Sequence, residues 1–177
     1  MESLVEKAKN GDKQSFSRLI NTIQIELYNI AKVKLNNEDD VKDVLQDTIL
    51  DIYKDIKKLK DNDFFKTWSV RILINNCNTV LKAKYKTKNL ISIDEYLQNY
   101  EETSNNVDKI FSKLNYEDVI NMLSVSEKMV FVLYYQEDYK IKEISEILNI
   151  KENTIKSILK RGREKIKASY KEDSLYE

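Results

Sequence analysis

The sequence contains no histidine and no proline, and it has only two glycines and one cysteine. Without histidine the chain lacks the commonest metal ligand and general base, and a single cysteine excludes an internal disulfide and a cysteine-based zinc site. The shortage of proline and glycine favours long helices joined by short polar turns over a strand-rich fold. We therefore predict an all-α protein that uses neither a metal nor a cofactor.

The charge of the chain is balanced overall but unevenly distributed. Its net charge is zero over 177 residues, of which 41% are hydrophobic and 34% charged, and this length suits one medium or two small domains. Acidic residues dominate positions 38–47, whereas lysine and arginine dominate positions 151–171 and again 82–88. Separate acidic and basic surfaces predict at least two different partners.

Nothing in the sequence predicts secretion or insertion into a membrane. No apolar run approaches the roughly 20 residues that a membrane span requires. The first twelve residues are charged and amphipathic, unlike a signal peptide. We therefore expect a cytoplasmic protein.

Apolar residues at helical spacing predict a helical first domain. A short helix over 3–10 is expected to end at Gly11, with Asp12 as the cap of the next helix. Helical spacing then runs from Phe16 to Ala31 and resumes from Val41 to Ile56. A charged turn with Asp63 as a candidate cap leads into a further helix.

The rest of the chain predicts a linker and a second helical domain. We expect the first domain over 1–87, a flexible linker over 88–109, the second domain over 110–171 and a tail over 172–177. In the second domain, Ser124 and Glu127 fit a capping box. A short helix, a turn in which Asn149 takes the left-handed conformation and a longer basic helix then form a helix-turn-helix.

The basic helix suits DNA, since lysine and arginine neutralise phosphates and a helix fits the major groove. Its apolar side carries Ile155 and Leu159, and we expect Lys156, Ser157, Lys160, Arg161 and Arg163 on or near the outer face. The alternative is a solvated lysine-rich terminal helix. The preceding short helix and turn favour the DNA-binding interpretation.

Four blocks of this sequence resemble the bacterial sigma factors of the extracytoplasmic-function (ECF) type, which give RNA polymerase its promoter choice. The second domain carries LSVSEKMVFVLYYQEDYKIKEISEILNIKENTIKSILKRGREKIK. The first carries, in the family's order, LVEKAKNGDKQSFSRLI, DDVKDVLQDTILDIYKDI and FFKTWSVRILINNC. Two domains that agree in order make this resemblance stronger than either match alone.

The resemblance implies two roles for the first domain. One helix face would dock on the clamp helices of the polymerase beta-prime subunit, through Asp43, Gln46, Asp47 and Leu50; the alternative is an acidic solvated face. The KDNDFFKTW turn and the helix after it would open DNA at the minus-ten element, through Asn62, Phe64, Trp68, Arg71, Asn75, Lys82, Lys84 and Lys86. Trp68 and Phe65 are instead candidates for the core. Cys77 is best read as a small buried residue rather than a redox site.

The resemblance also implies that the second domain reads the minus-thirty-five element and meets the flap of the polymerase beta subunit. The expected DNA-binding residues are Lys151, Asn153, Thr154, Lys156, Ser157, Lys160, Arg161 and Arg163, with base reading by Arg161, Lys156 and Ser157. Two departures weaken this match. Lys140 and Lys151 stand where the family often has a serine-type cap, and Ile158 replaces a frequent arginine.

Family membership implies core RNA polymerase and promoter DNA as partners, together with an anti-sigma factor that is often membrane-anchored. The main alternative is a stand-alone helix-turn-helix regulator whose first domain serves dimerisation or sensing. An enzyme is poorly supported, because the chain lacks histidine, a glycine-rich phosphate loop and a convincing nucleophile–base pair.

Overall fold

The computed structural model describes residues 1–35, 37–88 and 123–173, with the helical backbone alone at 85–88 and 169–173. Apart from turns, every element in this part of the chain is a helix, which confirms the all-α class. The chain divides into two compact units. Positions 89–109 of the predicted linker and 174–177 of the tail lie outside the described residues, so the domain boundaries stay predictions.

Five helices form the first unit. They are α1 (Glu2–Lys9), α2 (Lys13–Asn21), α3 (Gln24–Lys34), α4 (Glu38–Asp55) and α5 (Phe65–Lys88), with 3₁₀ turns at Ile56–Lys58 and Asn62–Phe64. Gly11 follows α1 with φ +92°, a conformation that strains any residue with a Cβ. The Asp12 carboxylate accepts from the backbone N–H groups of Gln14 and Ser15 at the start of α2. The predicted helix end and cap are therefore both confirmed.

The structure breaks the helical spacing of Phe16–Ala31 into two helices. The Thr22 hydroxyl donates to the Leu19 carbonyl at 2.7 Å, and the Thr22 and Ile23 N–H groups bond three residues back, to Leu19 and Ile20. This tighter pattern ends α2. The apolar residues keep their helical spacing across the break because both helices bury their apolar sides. The spacing alone therefore did not reveal where α2 ends.

Asp61, rather than the predicted Asp63, caps the turn before α5. Its carboxylate accepts from the Asp63 N–H at 3.0 Å. The helix proper then begins at Phe65, whose side chain is fully buried. The prediction that Phe65 belongs to the core is confirmed. Other fully buried side chains of this unit are Leu19, Ile23, Leu27, Ile30, Ile52 and Leu73, each stabilising the fold by about 1.5–3 kcal/mol.

The second unit consists of α6 (Val125–Phe131), a single π-helical turn (Val132–Gln136), α7 (Ile141–Leu148) and α8 (Glu152–Asp173). The Ser124 hydroxyl accepts from the Glu127 N–H, and the Ser124 N–H donates to the Glu127 carboxylate at 2.9 Å. Asn149 takes the left-handed conformation with φ 56° and ψ 44°. The capping box and the turn are therefore both confirmed. The π-helical turn was not predicted.

Glu127 also joins α6 to α8. Its carboxylate is almost fully buried and accepts from the Lys165 ammonium at 2.8 Å through both oxygens. Burial opposes the charge, but the hydrogen bonds from Lys165 and Ser124 outweigh it and hold the pKa of Glu127 below its usual value. The ionised carboxylate therefore stabilises the second unit.

We expect the second unit to lose stability as the pH falls below about 4.3, the ordinary pKa of a glutamate in an unfolded chain. Because the folded pKa is the lower one, the stabilisation is present above the unfolded value and disappears as the pH falls through the folded one. Glu127→Gln should cost about 1–3 kcal/mol at pH 7 and flatten this dependence. Hydrogen exchange of the α6 amides at pH 7 and pH 3, corrected for intrinsic rates, measures it. An equal loss of stability between pH 7 and pH 3 in the natural protein and in the Glu127→Gln variant would contradict this role.

Candidate functional site

Asp43, Gln46, Asp47 and Leu50 lie on one exposed face of α4, which we call the acidic stripe. Successive members are three, one and three residues apart, and 3.6 residues per turn bring such positions onto one side of a helix. All four side chains are exposed. Their inward neighbours Val44, Thr48 and Ile52 are buried against the rest of the unit. The structure therefore brings together all of the predicted polymerase-binding residues.

The acidic stripe combines unpaired acids with exposed apolar surface. Among the residues that the structure describes, neither Asp43 nor Asp47 forms an ion pair. Leu50 is 53% exposed and Tyr53, one turn further on, is 47% exposed. Isolated exposed leucines are common, but one beside unpaired carboxylates on a single face suits a docking surface with an apolar centre.

Tyr53 extends this surface, although the helical spacing of Val41 to Ile56 predicts it on the apolar side of α4. Its ring packs edge-on against Phe16 of α2 at a centroid distance of 5.0 Å. Phe16 thereby orients the exposed ring. The spacing of three residues from Leu50 to Tyr53 was the available indication.

The outer side of α5 carries most of the predicted minus-ten residues. Phe64, which ends the 3₁₀ turn before α5, and Trp68, Arg71, Asn75 and Lys82 of α5 follow one another at spacings of four, three, four and seven residues, and we call them the α5 outer face. Phe64 is 49% exposed, Arg71, Asn75 and Lys82 are exposed, and Trp68 is half-buried. The Trp68 ring lies 6.3 Å from the ring of Phe65. Trp68 therefore contacts the core through Phe65 and keeps one part accessible.

Two further predicted minus-ten residues have partners within the first unit. The Asn62 amide donates to the Glu6 carboxylate and accepts from the Lys9 ammonium, both at 3.0 Å. Lys84 forms an ion pair with Asp40 at the start of α4. These interactions would have to open before either residue binds DNA. Lys86 lies on α5, but its side chain lies outside the described residues.

Three predicted DNA-binding residues at the start of the basic helix are exposed: Lys151, which directly precedes α8, and Asn153 and Lys156 within it. Thr154, Lys160, Arg161 and Arg163 are half-buried. The Arg163 Nε donates to the Leu159 carbonyl at 3.1 Å. The Lys160 Nζ lies 3.8 Å from Oε1 of the Glu164 carboxylate. Of the cations predicted to bind DNA, the two exposed ones, Lys151 and Lys156, therefore lie at the start of α8, next to the turn at Asn149.

Ser157 differs from its predicted exposed position. It is 4% exposed, and its hydroxyl donates to the Asn153 carbonyl at 2.9 Å. The prediction that it lies exposed is wrong, because the short side chain bonds back to its own helix and uses its one hydrogen there. A base contact by Ser157 stays a prediction. Ile158, the other departure from the family pattern, is 2% exposed, so this position presents no side chain at the surface.

The missing cap of α7 is partly replaced. Lys140 has no side-chain acceptor, as predicted from the sequence, but its backbone N–H donates to the Glu143 carboxylate at 2.8 Å. This is the reciprocal half of a capping box, and it satisfies one of the free donors at the helix start. Glu143 was not recognised in the sequence analysis, although its place three residues after the cap position is typical of that arrangement.

Cys77 is completely buried in α5. Burial raises the pKa of its thiol to about 11, although the nearby Lys34 ammonium opposes the shift. Burial also lowers the pKa of Lys34. The thiol is therefore protonated and enclosed, which agrees with a packing role.

We expect Cys77 to react with a thiol reagent only after the first unit unfolds. A pKa raised from 9.0 to about 11 lowers the thiolate fraction at pH 8 on the order of 100-fold, and enclosure slows the reaction further. The rate at which the Cys77 thiol reacts with a disulfide reagent, compared between buffer and 6 M guanidinium chloride, measures this protection. Fast labelling of the folded protein would show that the site is accessible.

The described residues contain no group of acidic or cysteine side chains that could hold a metal ion. Within the same part of the chain, no helix is long and apolar enough to cross a membrane.

Two family profiles of known proteins match this chain, each over a different range. The profile described as Sigma-70 region 2 matches residues 19–87, and the profile described as Sigma-70, region 4 matches residues 113–166. These ranges contain the acidic stripe, the α5 outer face and the basic helix as far as residue 166. The chain belongs to the ECF-type RNA polymerase sigma factors.

Its relatives match over nearly their whole length. The ECF RNA polymerase sigma-E factor of Haemophilus influenzae is 26% identical over 176 residues, covering 93% of this chain and 92% of the relative. The ECF RNA polymerase sigma factor SigW of Bacillus subtilis is 26% identical over 187 residues, covering 94% and 97%. This ECF sigma factor is therefore a transcription initiation factor with the usual two conserved regions.

Two solved structures share the fold. One is CnrH in complex with the cytosolic domain of CnrY, with a TM-score of 0.65 and 20% identity over 97% of both chains. The other is the sigma factor RpoE in complex with the anti-sigma factor NepR from Bartonella quintana. It has a TM-score of 0.67 and 17% identity, covering 89% of this sigma factor and 98% of that chain.

Proposed function

We propose that this sigma factor divides its work among three surfaces. The acidic stripe holds the clamp helices of the core polymerase, the α5 outer face opens promoter DNA, and the first turns of α8 select the promoter. The observation that carries this proposal is the separation of charge. The unpaired exposed acids Asp43 and Asp47 lie on α4, while the exposed lysines Lys151 and Lys156 lie at the start of α8 in the other unit.

The chemistry of each surface fits its proposed partner. Carboxylates around an exposed leucine suit a basic protein surface with an apolar centre. Exposed aromatic, arginine and amide groups on α5 suit bases that leave the DNA stack, since they offer stacking surfaces and polar contacts. Exposed lysines at the start of α8 suit phosphates beside a major groove. We propose no catalytic step for any of them.

We further propose regulation by an anti-sigma factor. The two solved structures described above are complexes, one with an anti-sigma factor and one with the cytosolic domain of CnrY. An inhibitor of this sigma factor would cover surfaces that polymerase and DNA need. A membrane-anchored inhibitor would act from the membrane on a cytoplasmic sigma factor. Recovery of the protein from its native cell without such a partner under non-inducing conditions would contradict this part.

A gel-shift experiment with and without core polymerase distinguishes this function from a stand-alone regulator. The sigma factor should bind a promoter fragment weakly alone and tightly with core enzyme. Tight sequence-specific binding of the protein alone, unchanged by core enzyme, would favour the stand-alone regulator. Raising the salt concentration should weaken the complex, with a log–log slope of about −0.9 for each phosphate that the protein neutralises.

Base reading by α8 is tested at Arg161. Arg161→Ala should lower transcription most from promoters that carry the preferred base at one position of the minus-thirty-five element. The preference for that base over the other bases should fall by about 1–3 kcal/mol. Lys151→Ala provides a comparison, because a phosphate contact should affect all promoter variants equally. A uniform loss in the Arg161 variant would contradict base reading.

A further inference from the structure

Asn76 joins the helix that we assign to DNA opening to the helix that we assign to polymerase binding. From α5, its amide nitrogen donates to the Thr48 hydroxyl at 3.2 Å and to the Asp51 carboxylate at 3.1 Å, both on α4. Asp51 accepts but cannot donate, so the amide nitrogen must face it. Both hydrogens of one side chain are therefore committed to the neighbouring helix.

The acceptors lie directly beside the acidic stripe. Thr48 is fully buried and follows Asp47 in the sequence, while Asp51 is half-buried and follows Leu50. Asn76 in turn follows Asn75 of the α5 outer face. Each of the three residues thus stands next to a proposed contact with polymerase or DNA. This arrangement connects the two surfaces through a single amide.

A second contact fixes the direction of the two helices. Lys84 of α5 pairs with Asp40 of α4, eight residues beyond Asn76 on one helix and eight residues before Thr48 on the other. The helices are therefore antiparallel, with the two contacts about 12 Å apart along them. The Lys84 side chain of this outer contact is 53% accessible and the Asp40 side chain is 22% accessible. The ammonium on the flexible Lys84 side chain can keep its ion pair over a range of helix positions, whereas the planar Asn76 amide donates to two acceptors, so Asn76 provides the more specific restraint.

We propose that Asn76 is a positioning residue that fixes α5 relative to α4, so that a sigma factor held by polymerase presents its α5 outer face correctly to the promoter. This inference rests on the proposed function of the two surfaces. Apolar packing between helices tolerates small sliding and rotation, whereas two hydrogen bonds from one planar amide specify a single relation. Loss of these hydrogen bonds should therefore slow the opening of DNA and leave the affinity for polymerase almost unchanged.

The test compares Asn76→Ala, Asn76→Asp and the reciprocal double variant Asn76→Asp/Asp51→Asn in the full-length protein. Asn76→Asp loses the donors and sets two carboxylates against each other. The double variant restores a donor on α4 and an acceptor on α5. Asn21→Ala, at an exposed position at the end of α2, is the matched control. Trp68 fluorescence during thermal unfolding checks that each first unit is folded.

Three quantities are measured: affinity for core polymerase, opening of a duplex promoter followed by 2-aminopurine fluorescence, and binding to the same promoter with a mismatched, already open minus-ten region. We expect Asn76→Ala to bind core within twofold of the natural protein. It should open the duplex about tenfold more slowly and bind the open promoter almost normally. Asn76→Asp should open DNA more slowly still, and the double variant should recover most of the rate.

Duplex opening at the natural rate by Asn76→Ala would overturn the proposal. So would a parallel loss of core binding and of both promoter activities, because a residue that only stabilises the fold gives that result. If the unaltered protein does not bind core polymerase, the proposed function fails first. That outcome is distinguished because it is seen without any substitution.

Discussion

Asp43→Arg/Asp47→Arg should reduce the affinity for core polymerase by about 100-fold while the first unit remains folded. Both carboxylates are exposed and form no ion pair among the described residues, so their reversal breaks no internal ion pair. Against a basic partner it replaces attraction with repulsion, and like charges across an interface cost several kcal/mol. A loss of about 2.8 kcal/mol corresponds to this hundredfold change.

Fluorescence anisotropy of the labelled sigma factor with core polymerase measures this affinity. Glu2→Arg, an exposed reversal of charge on α1, is the control for a reversal outside the acidic stripe, with half the change in net charge. Leu50→Ala should weaken binding as well, and without the salt dependence expected of the charged pair. Unchanged affinity in the Asp43/Asp47 double variant would show that the acidic stripe is only a solvated helix face.

Gly162→Ala should destabilise the second unit, although glycine to alanine inside a helix ordinarily stabilises by about 0.5–1 kcal/mol. A Cβ at position 162 would lie 2.4 Å from Cε2 and 2.5 Å from Cζ of Phe131. Phe131 is 2% exposed and has little room to move. Overpacking of a dense core costs about 1–3 kcal/mol, so the steric effect exceeds the gain in helix propensity. Transcription should fall in proportion to the fraction of the sigma factor in which the second unit is folded.

Hydrogen exchange of the α6 amides reports the stability of the second unit, and Trp68 fluorescence reports the first unit, which should be unaffected. Lys167→Ala, an exposed change on α8, should alter stability by no more than about 0.5 kcal/mol. Phe131→Leu in the Gly162→Ala protein should recover part of the loss by making space. A gain in protection for Gly162→Ala alone would contradict close packing of α6 on α8.

The sequence predicted those features that depend on a few neighbouring residues. Asp12, Ser124 and Asn149 each act within three or four positions along the chain, through a cap or a left-handed turn, so their conformations were predicted correctly. The acidic stripe was predicted because helical periodicity alone brings its members together. The family resemblance supplied the roles of these surfaces, which no periodicity contains.

Features that depend on packing were not predictable in the same way. The break at Thr22 leaves the apolar period intact, and the exposed ring of Tyr53 depends on Phe16 of another helix. Lys84 belongs to a basic run in the sequence, yet it pairs with Asp40 on a different helix. The hydrogen bonds of Asn76 likewise join residues 25 and 28 positions apart. These relations are set by how α4 and α5 pack.

Transcription by core polymerase on fragmented genomic DNA, with the 5′ ends of the products sequenced, tests the central claim most directly. With the sigma factor added, we expect a limited set of discrete start sites that share two upstream elements at fixed spacing. The Asp43→Arg/Asp47→Arg variant should abolish these starts. Identical 5′ ends with and without the protein would contradict its role as a promoter-selecting subunit.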